Sequence, residues 1–280
     1  MSQTWTQIIE PKGKWFDIKL KELWRYRDLI ILFFHWDFTA RFKQTILGPA
    51  WYLIQPLMTT GIFTIIFGNV AELSTDGLPK FLFYMSGTVV WRYFADCLTE
   101  TSNTFTVNLG LFGKVYFPRL SVPISKLLTN LVTFGIQFMF FLCFMIYFGF
   151  MGTDINPNAY LLLFPYLLFL MACLGLGVGI IVSAATAKYR DLQYLVQFGV
   201  QLLMYATPVI YPLSTIPEKY RWILIANPMT PVVETFRYGF LGAGTVSPAH
   251  LMYSTFIALI LLVIGMAFFN RIERTFMDTV

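Results

Sequence analysis

Histidine, cysteine and charge are all scarce in this 280-residue chain. It has two histidines and three cysteines, and 12% of its residues are charged. Soluble domains carry about 25% charged residues, so a water-facing globule is excluded. His35 and His250 stand near opposite ends of the sequence and make no pair for a metal or for acid–base work. Cys97, Cys143 and Cys173 are far apart in apolar surroundings. No two have metal-ligand spacing, the odd count argues against a disulfide framework, and buried packing is the expected role of all three. HExxH, CxxC, GxSxG and the phosphate loop GxxxxGK(S/T) are missing, which removes the familiar groupings for hydrolysis, thiol chemistry and nucleotide binding. The first 28 residues are polar and lysine-rich, without an early apolar core. No cleavable signal peptide is expected, and the first true span has to serve as the targeting signal.

What is abundant is apolar mass. Hydrophobic residues make up 57% of the chain, aromatics 18%, and the mean hydropathy is +0.64. This is the composition of an integral membrane protein whose single helical bundle takes up the whole length. The net charge of +5 is not a nucleic-acid signal, because the basic residues crowd at the ends of apolar runs, where they orient spans.

The organising stretch is 37–69. Asp37, Arg41 and Lys43 form a charged ledge, Gly48 and Pro49 break the chain, and a long uncharged run follows. About twenty apolar residues cross roughly 30 Å of hydrocarbon as a helix. Upstream, Trp15 to Arg27 places Phe16, Leu20, Leu23 and Trp24 at helical spacing among Lys and Arg, which reads as a basic amphipathic helix on the membrane surface. Leu29 to Phe34 is too short to span and stays at the interface. This collar either touches a partner on the cytoplasmic face or is a plain anchor.

Spans are expected at about 47–70, 79–105, 124–150, 159–184, 192–211 and 249–269. The second contains Arg92, Asp96 and Glu100, four residues apart and so on one helix face. Charges at membrane depth face a bundle interior or a water-filled route. The alternative ends this span near Trp91 and leaves the three charges cytoplasmic. The apolar run through Tyr93, Phe94 and Leu98 favours the longer span. Between spans two and three, Asn103–Lys126 is too long for a tight turn and too polar to insert, which suggests a short helix parallel to the membrane. Span four carries Gly175, Gly179 and Ser183 at the spacing that lets helices approach closely. From Pro212 to Thr245 the chain is interrupted at Pro217, Pro228, Pro231 and Gly239. Its halves, 217–226 and 231–241, are each too short to cross. Backbone at membrane depth needs protein or a cavity around it, so two outer-side re-entrant half-helices are the economical reading, with Glu234 and Arg237 placed to pair.

Of the twenty Lys and Arg, fifteen fall in the proposed inner segments and four (Lys80, Lys219, Arg221 and Arg237) in outer ones, with Arg92 left in the membrane. That bias puts both termini in the cytoplasm. The expected fold class is all-α integral membrane: six transmembrane helices, an N-terminal amphipathic interface helix and two outer-side re-entrant half-helices. The expected division is 1–46 as a cytoplasmic segment, 47–270 as the transmembrane domain and 271–280 as a cytoplasmic tail.

Without catalytic groupings, transport fits better than an enzyme. Aromatic faces suit a sliding, repetitive glycan more than a small ion. An ATP-independent secondary transporter or channel, or a membrane enzyme of glycan assembly, remains open from the residues alone. The first typically shows an internal repeat, and 47–150 against 159–269 gives no convincing one.

Five segments in order along the chain add to this: RFKQTILGPAWYLIQP (41–56), WRYF (91–94), GKVYFPRLSVPIS (113–125), KYRDL (188–192) and NPMTPVVETFRYGFLG (227–242). Together they resemble the membrane subunit of ABC-2 type polysaccharide exporters, which move O-antigen, capsular polysaccharide and teichoic acid. The resemblance covers nearly the whole chain. It implies a homodimer with two copies of a separate nucleotide-binding ATPase subunit, no cofactor in this chain, ATP and Mg on the partner, and a lipid-linked polysaccharide in an inner membrane. It also implies that 103–123 couples to the ATPase, with Asn108, Gly110, Lys114 and Arg119 as coupling residues, and that the 217–241 half-helices form an outer gate around Pro228, Glu234 and Arg237. Trp91, Arg92, Asp96 and Glu100 fall to the pathway or the dimer seam. Arg41 and Lys43 are assigned to a lipid-diphosphate head at the entrance, from charge and position.

Overall fold

The structure is a computed structural model, and it describes residues 20–43, 48–112, 114, 115, 117–186, 189 and 191–277. Among the described residues it is all helix and loop. The helices are α1 (Leu20–Arg25), α2 (Arg27–Phe42), α3 (Trp51–Phe63), α4 (Lys80–Ser102), α5 (Thr104–Val107), α6 (Leu109–Phe112), α7 (Ser121–Phe150), α8 (Phe164–Thr186), α9 (Leu192–Tyr205), α10 (Glu218–Ala226), α11 (Thr230–Leu241) and α12 (Pro248–Met277). A π-helical stretch, Thr64–Val70, prolongs α3, and a 3-10 turn, Ala159–Leu163, leads into α8.

Among the described residues, four segments are long and apolar enough to cross a membrane: Trp51–Val70, Ser121–Phe150, Ala159–Thr186 and Pro248–Asn270. Helix α4 is long enough at 23 residues, about 35 Å, but is less apolar than these four. It is instead the axis of the bundle. Leu82 to Trp91 are all buried, and α7, α8 and α3 pack along it. It runs without a break past Trp91 to Ser102.

Glycine fixes how close the helices come. A Cβ on Gly175 or Gly179 would meet Cys97 Cβ at 2.7 Å or Thr101 Cβ at 2.6 Å, both on α4. Gly177, on the opposite side of α8, and Gly265 let α12 approach: a Cβ on Gly177 would sit 3.0 Å from the Leu261 backbone. The Gly175–Ser183 stripe is therefore consumed inside one chain. It gives no independent support for a seam between two copies.

Several boundaries differ from expectation. The fifth helix stops at Tyr205, six residues early. It is 14 residues long, about 21 Å. Pro208 lacks an N–H to continue the ladder, and Thr207 to Ile210 turn inward and are buried. The surface segment 103–126 forms two four-residue helices, α5 and α6, and α7 begins as early as Ser121, so Lys126 lies within it. The N-terminal collar breaks at Tyr26, and its second part runs on past Phe34 to Phe42; its start, 15–19, lies outside the described residues, as do Gly113, Lys188 and Arg190. The half-helices match closely, at 218–226 and 230–241. Cys97 and Cys173 are buried, while Cys143 lies on the outward face of α7.

Candidate functional site

The charged face of α4 is split between two partners. Arg92 Nε donates to Asp96 Oδ2 at 3.0 Å, the i,i+4 pair the spacing predicts, and Arg92 Nη2 donates to Gln55 Oε1 of α3 at 3.1 Å. Glu100 accepts from Arg41 Nη2 of α2 at 2.5 Å. Arg41 also reaches Asn130 of α7 at 3.4 Å. Burial pulls the Arg41 guanidinium down, but the charges of Glu100 and Asp37 and the nearby Tyr52 hydroxyl outweigh that and hold it above its ordinary value. A second ion pair, Lys126 to Asp37, ties α7 to the same helix. Arg41 is thus bound to a carboxylate and does not stand with Lys43, which is exposed.

Next to Arg92 and Asp96 lies a cleft of about 230 Å³ between α3, α4 and α9. Thr59, Thr88, Gln197 and Gln201 supply its other polar groups, and Trp91 and Met204 are among its apolar ones. The sequence reading missed the glutamines, although the signal is plain. Gln193, Gln197 and Gln201 recur every four residues in an apolar helix, which puts three amides on one face. Gln193 donates to the Thr106 hydroxyl at 2.6 Å, so the same face begins at α5 and ends in the cleft. Helix α7 carries a comparable stripe, Ser121, Ser125, Thr129, Thr133 and Gln137, all buried. Ser125, Thr129 and Thr133 donate to carbonyls of their own helix and leave no donor free for a ligand.

At the end where α2, α5 and α6 meet, a small separate core joins the terminal helices to the 103–123 segment. Phe33 packs on Phe117, Phe117 on Phe112, Phe112 on Phe105, and Phe105 on Phe269, with ring centroids 4.8–5.8 Å apart. Arg119 belongs to this core. It is 4% exposed, and its guanidinium lies 5.4 Å from the Phe112 ring. Lys114 is exposed, Asn108 donates to the Thr104 carbonyl at 2.9 Å, and a Cβ on Gly110 would meet open space.

At the other end, Glu234 and Arg237 are both 1% exposed and pair at 3.2 Å. Arg237 stacks 3.8 Å over the Phe83 ring, and its Nη2 donates to the Pro208 carbonyl at 3.0 Å. The Glu234 carboxylate accepts from the Thr245 N–H at 2.8 Å and from its hydroxyl at 3.1 Å. Pro228 sits in the half-buried turn between α10 and α11. None of these outer partners except the pair itself was legible in the sequence, because they come from three other segments.

Among the described residues no three His, Cys, Asp or Glu gather to hold a metal. What the chain presents is a helical membrane bundle with one internal charged axis, a polar cleft against it, and a buried ion pair closing one end. That defines a helical membrane protein with a polar cleft in its bundle. Residues 29–241 match the model of the ABC-2 type transporter family, and the chain belongs to that family. It is 28% identical over 251 residues to an O-antigen export system permease protein RfbA of Klebsiella pneumoniae, covering 90% of this chain and 94% of the relative. A Myxococcus xanthus protein of the same name is 27% identical over 263 residues, covering 93% and 98%. The polysialic acid transport protein KpsM of Escherichia coli is 22% identical over 244 residues, covering 87% and 93%.

Proposed function

We propose that this chain is the transmembrane subunit of an ATP-driven exporter that carries a lipid-linked polysaccharide across the cytoplasmic membrane. The family and the relatives' names support the class. The observation that carries the site is the cleft, where Arg92, Asp96, Gln197 and Gln201 offer hydrogen-bonding groups at the depth of a membrane span. Such groups need water, substrate or protein around them. In this reading two copies of the chain face one another across α3, α4 and α9, and the glycan slides along the amide face that starts at Gln193. The six spans are Trp51–Val70, α4, α7, α8 with its leading turn, α9 with the buried turn after it, and α12. Both termini lie in the cytoplasm, on the count of basic residues. The divisions 1–46, 47–270 and 271–280 follow the same topology.

The ATPase is a separate subunit, two copies per exporter, and ATP and Mg belong to it. Its contact is the α5–α6 segment, with Asn108, Gly110 and exposed Lys114 at the surface. Arg119 acts from beneath, holding Phe112 in place. Arg41 serves less as an open anion site than as the clasp of α2 on α4, which leaves Lys43 as the accessible cation at the entrance. Helices α10 and α11 form the outer gate.

The reading is tested by purifying the tagged chain from its own membrane and reconstituting it. Co-purification of a soluble ATPase and ATP-dependent movement of lipid-linked glycan into the vesicle lumen are expected. Transport by the chain alone, undiminished without any ATPase, would replace this reading with a channel or secondary transporter.

A further inference from the structure

Arg237 is the largest of the fully buried side chains among the described residues, and it joins segments that have little else in common. Phe83 under its guanidinium and Ser86, whose hydroxyl accepts from Nε at 3.4 Å, belong to α4. The Pro208 carbonyl belongs to the turn after α9. Glu234 belongs to α11, and through Thr245 it holds the loop that leads into α12. Gly87 makes room for this: a Cβ there would lie 2.9 Å from the Val209 carbonyl oxygen and 3.1 Å from Arg237 Nη2.

Stability does not explain a charged pair in such a place. Apolar residues of similar volume are often as stable as a buried ion pair or more so, whereas removing one partner is strongly destabilising. What the pair adds is a contact with two states. Its groups are either mated, with every acceptor at 3.0–3.4 Å, or parted and in need of water, and nothing between is stable. We infer that Arg237 is a positioning residue that latches the outer gate: the Arg237–Glu234 pair holds the α9–α10 turn, α11 and the α11–α12 loop shut against α4, and it must part for glycan to leave. This rests on the exporter reading above and adds the specific contact that keeps the exit closed.

Val209, fully buried beside the latch, reports on it. In the complete exporter, with Cys143 replaced by alanine, Val209→Cys is exposed to a membrane-impermeant thiol reagent from the outer side. In the parent it is expected to be protected without ATP and labelled during turnover. The double variant Glu234→Gln with Arg237→Met leaves no unpaired charge, and it is expected to be labelled about tenfold faster without ATP, the change that a bias of roughly 1.4 kcal/mol produces. Thr245→Val, which removes one bond to Glu234, should give a smaller acceleration and serves where the double variant does not assemble. Protection equal to the parent in whichever variant assembles, with assembly intact, would overturn the latch. If the parent exports glycan yet is never labelled, the gate reading itself fails and the latch with it. Labelling of the parent by turnover, with the variants unchanged, leaves the gate and removes only the latch.

Discussion

Two of the Arg–carboxylate pairs among the described residues, Arg237–Glu234 and Arg92–Asp96, have opposite surroundings. Arg237 and Glu234 are sealed, with each side chain 1% exposed, and the guanidinium has acceptors on three of its nitrogens and a ring beneath it. Arg92 and Asp96 are 39% and 28% exposed and border a cleft with two further amides. A pair enclosed on every side has no valence left for a substrate, so its work is mechanical. A pair with an open side can exchange partners with hydroxyls as they pass. In the proposed function the same chemistry serves as a lock in one place and a road in the other.

The largest expected effect breaks the sealed pair. Arg237→Met alone leaves Glu234 unpaired, and removing one partner of a buried pair costs about 3–5 kcal/mol. Folded yield and thermal unfolding in detergent should collapse, while the double variant with Glu234→Gln recovers most of the loss. Equal damage in both would mean that the side chains matter for shape rather than charge.

Next is the seam that holds α4 in place. Gly179→Leu drives a side chain into Thr101, whose Cβ lies 2.6 Å from the position of the new Cβ. Overpacking costs about 1–3 kcal/mol, so a clear drop in melting temperature is expected. Gly110→Ala, where nothing lies within 4 Å, should leave stability unchanged. A third prediction concerns the clasp of α2. Glu100→Gln weakens a charge-assisted bond worth about 1.5–3 kcal/mol, so protease should cut within Leu20–Phe42 faster. An unaltered rate would show that Phe33 on Phe117 holds α2 without it.

The smallest effect on stability comes from the open pair. Arg92→Gln with Asp96→Asn should shift stability by no more than about 1 kcal/mol. Glycan export should nevertheless fall by about tenfold, the equivalent of one hydrogen-bonded contact near 1.4 kcal/mol. A change in stability larger than the change in export would erase the distinction between the two pairs.

The parts of this arrangement that were legible in sequence are those set by local pattern. Proline spacing placed the half-helices within a residue or two, and the three-residue separation of Glu234 and Arg237 put them on one face. The four-residue spacing on α4 gave Arg92–Asp96 but not the partner of Glu100, because Arg41 arrives from a helix 59 positions away in sequence. The small-residue stripe on α8 was read as a contact surface, but spacing shows that helices touch and not which helix does so, and α4 is the partner. Arg119 was assigned to coupling through the resemblance, and nothing in the local pattern shows that packing on Phe112 buries it. The glutamine face of α9 was fully visible and was passed over, because uncharged amides stand out less than ions in a membrane segment.

The central claim is that the cleft beside Arg92 is wet and lies on the glycan's route. Single cysteines at Thr59, Thr88, Gln197 and Gln201, which line the cleft, with Leu195 and Leu202 as controls on α9, test it most directly in the assembled exporter. The four cleft positions are expected to react with a water-soluble thiol reagent, and to be protected when lipid-linked glycan is held in transit, while the controls stay inert. Uniform silence at all four positions with export intact would show that this face is dry and packed, and would contradict the account.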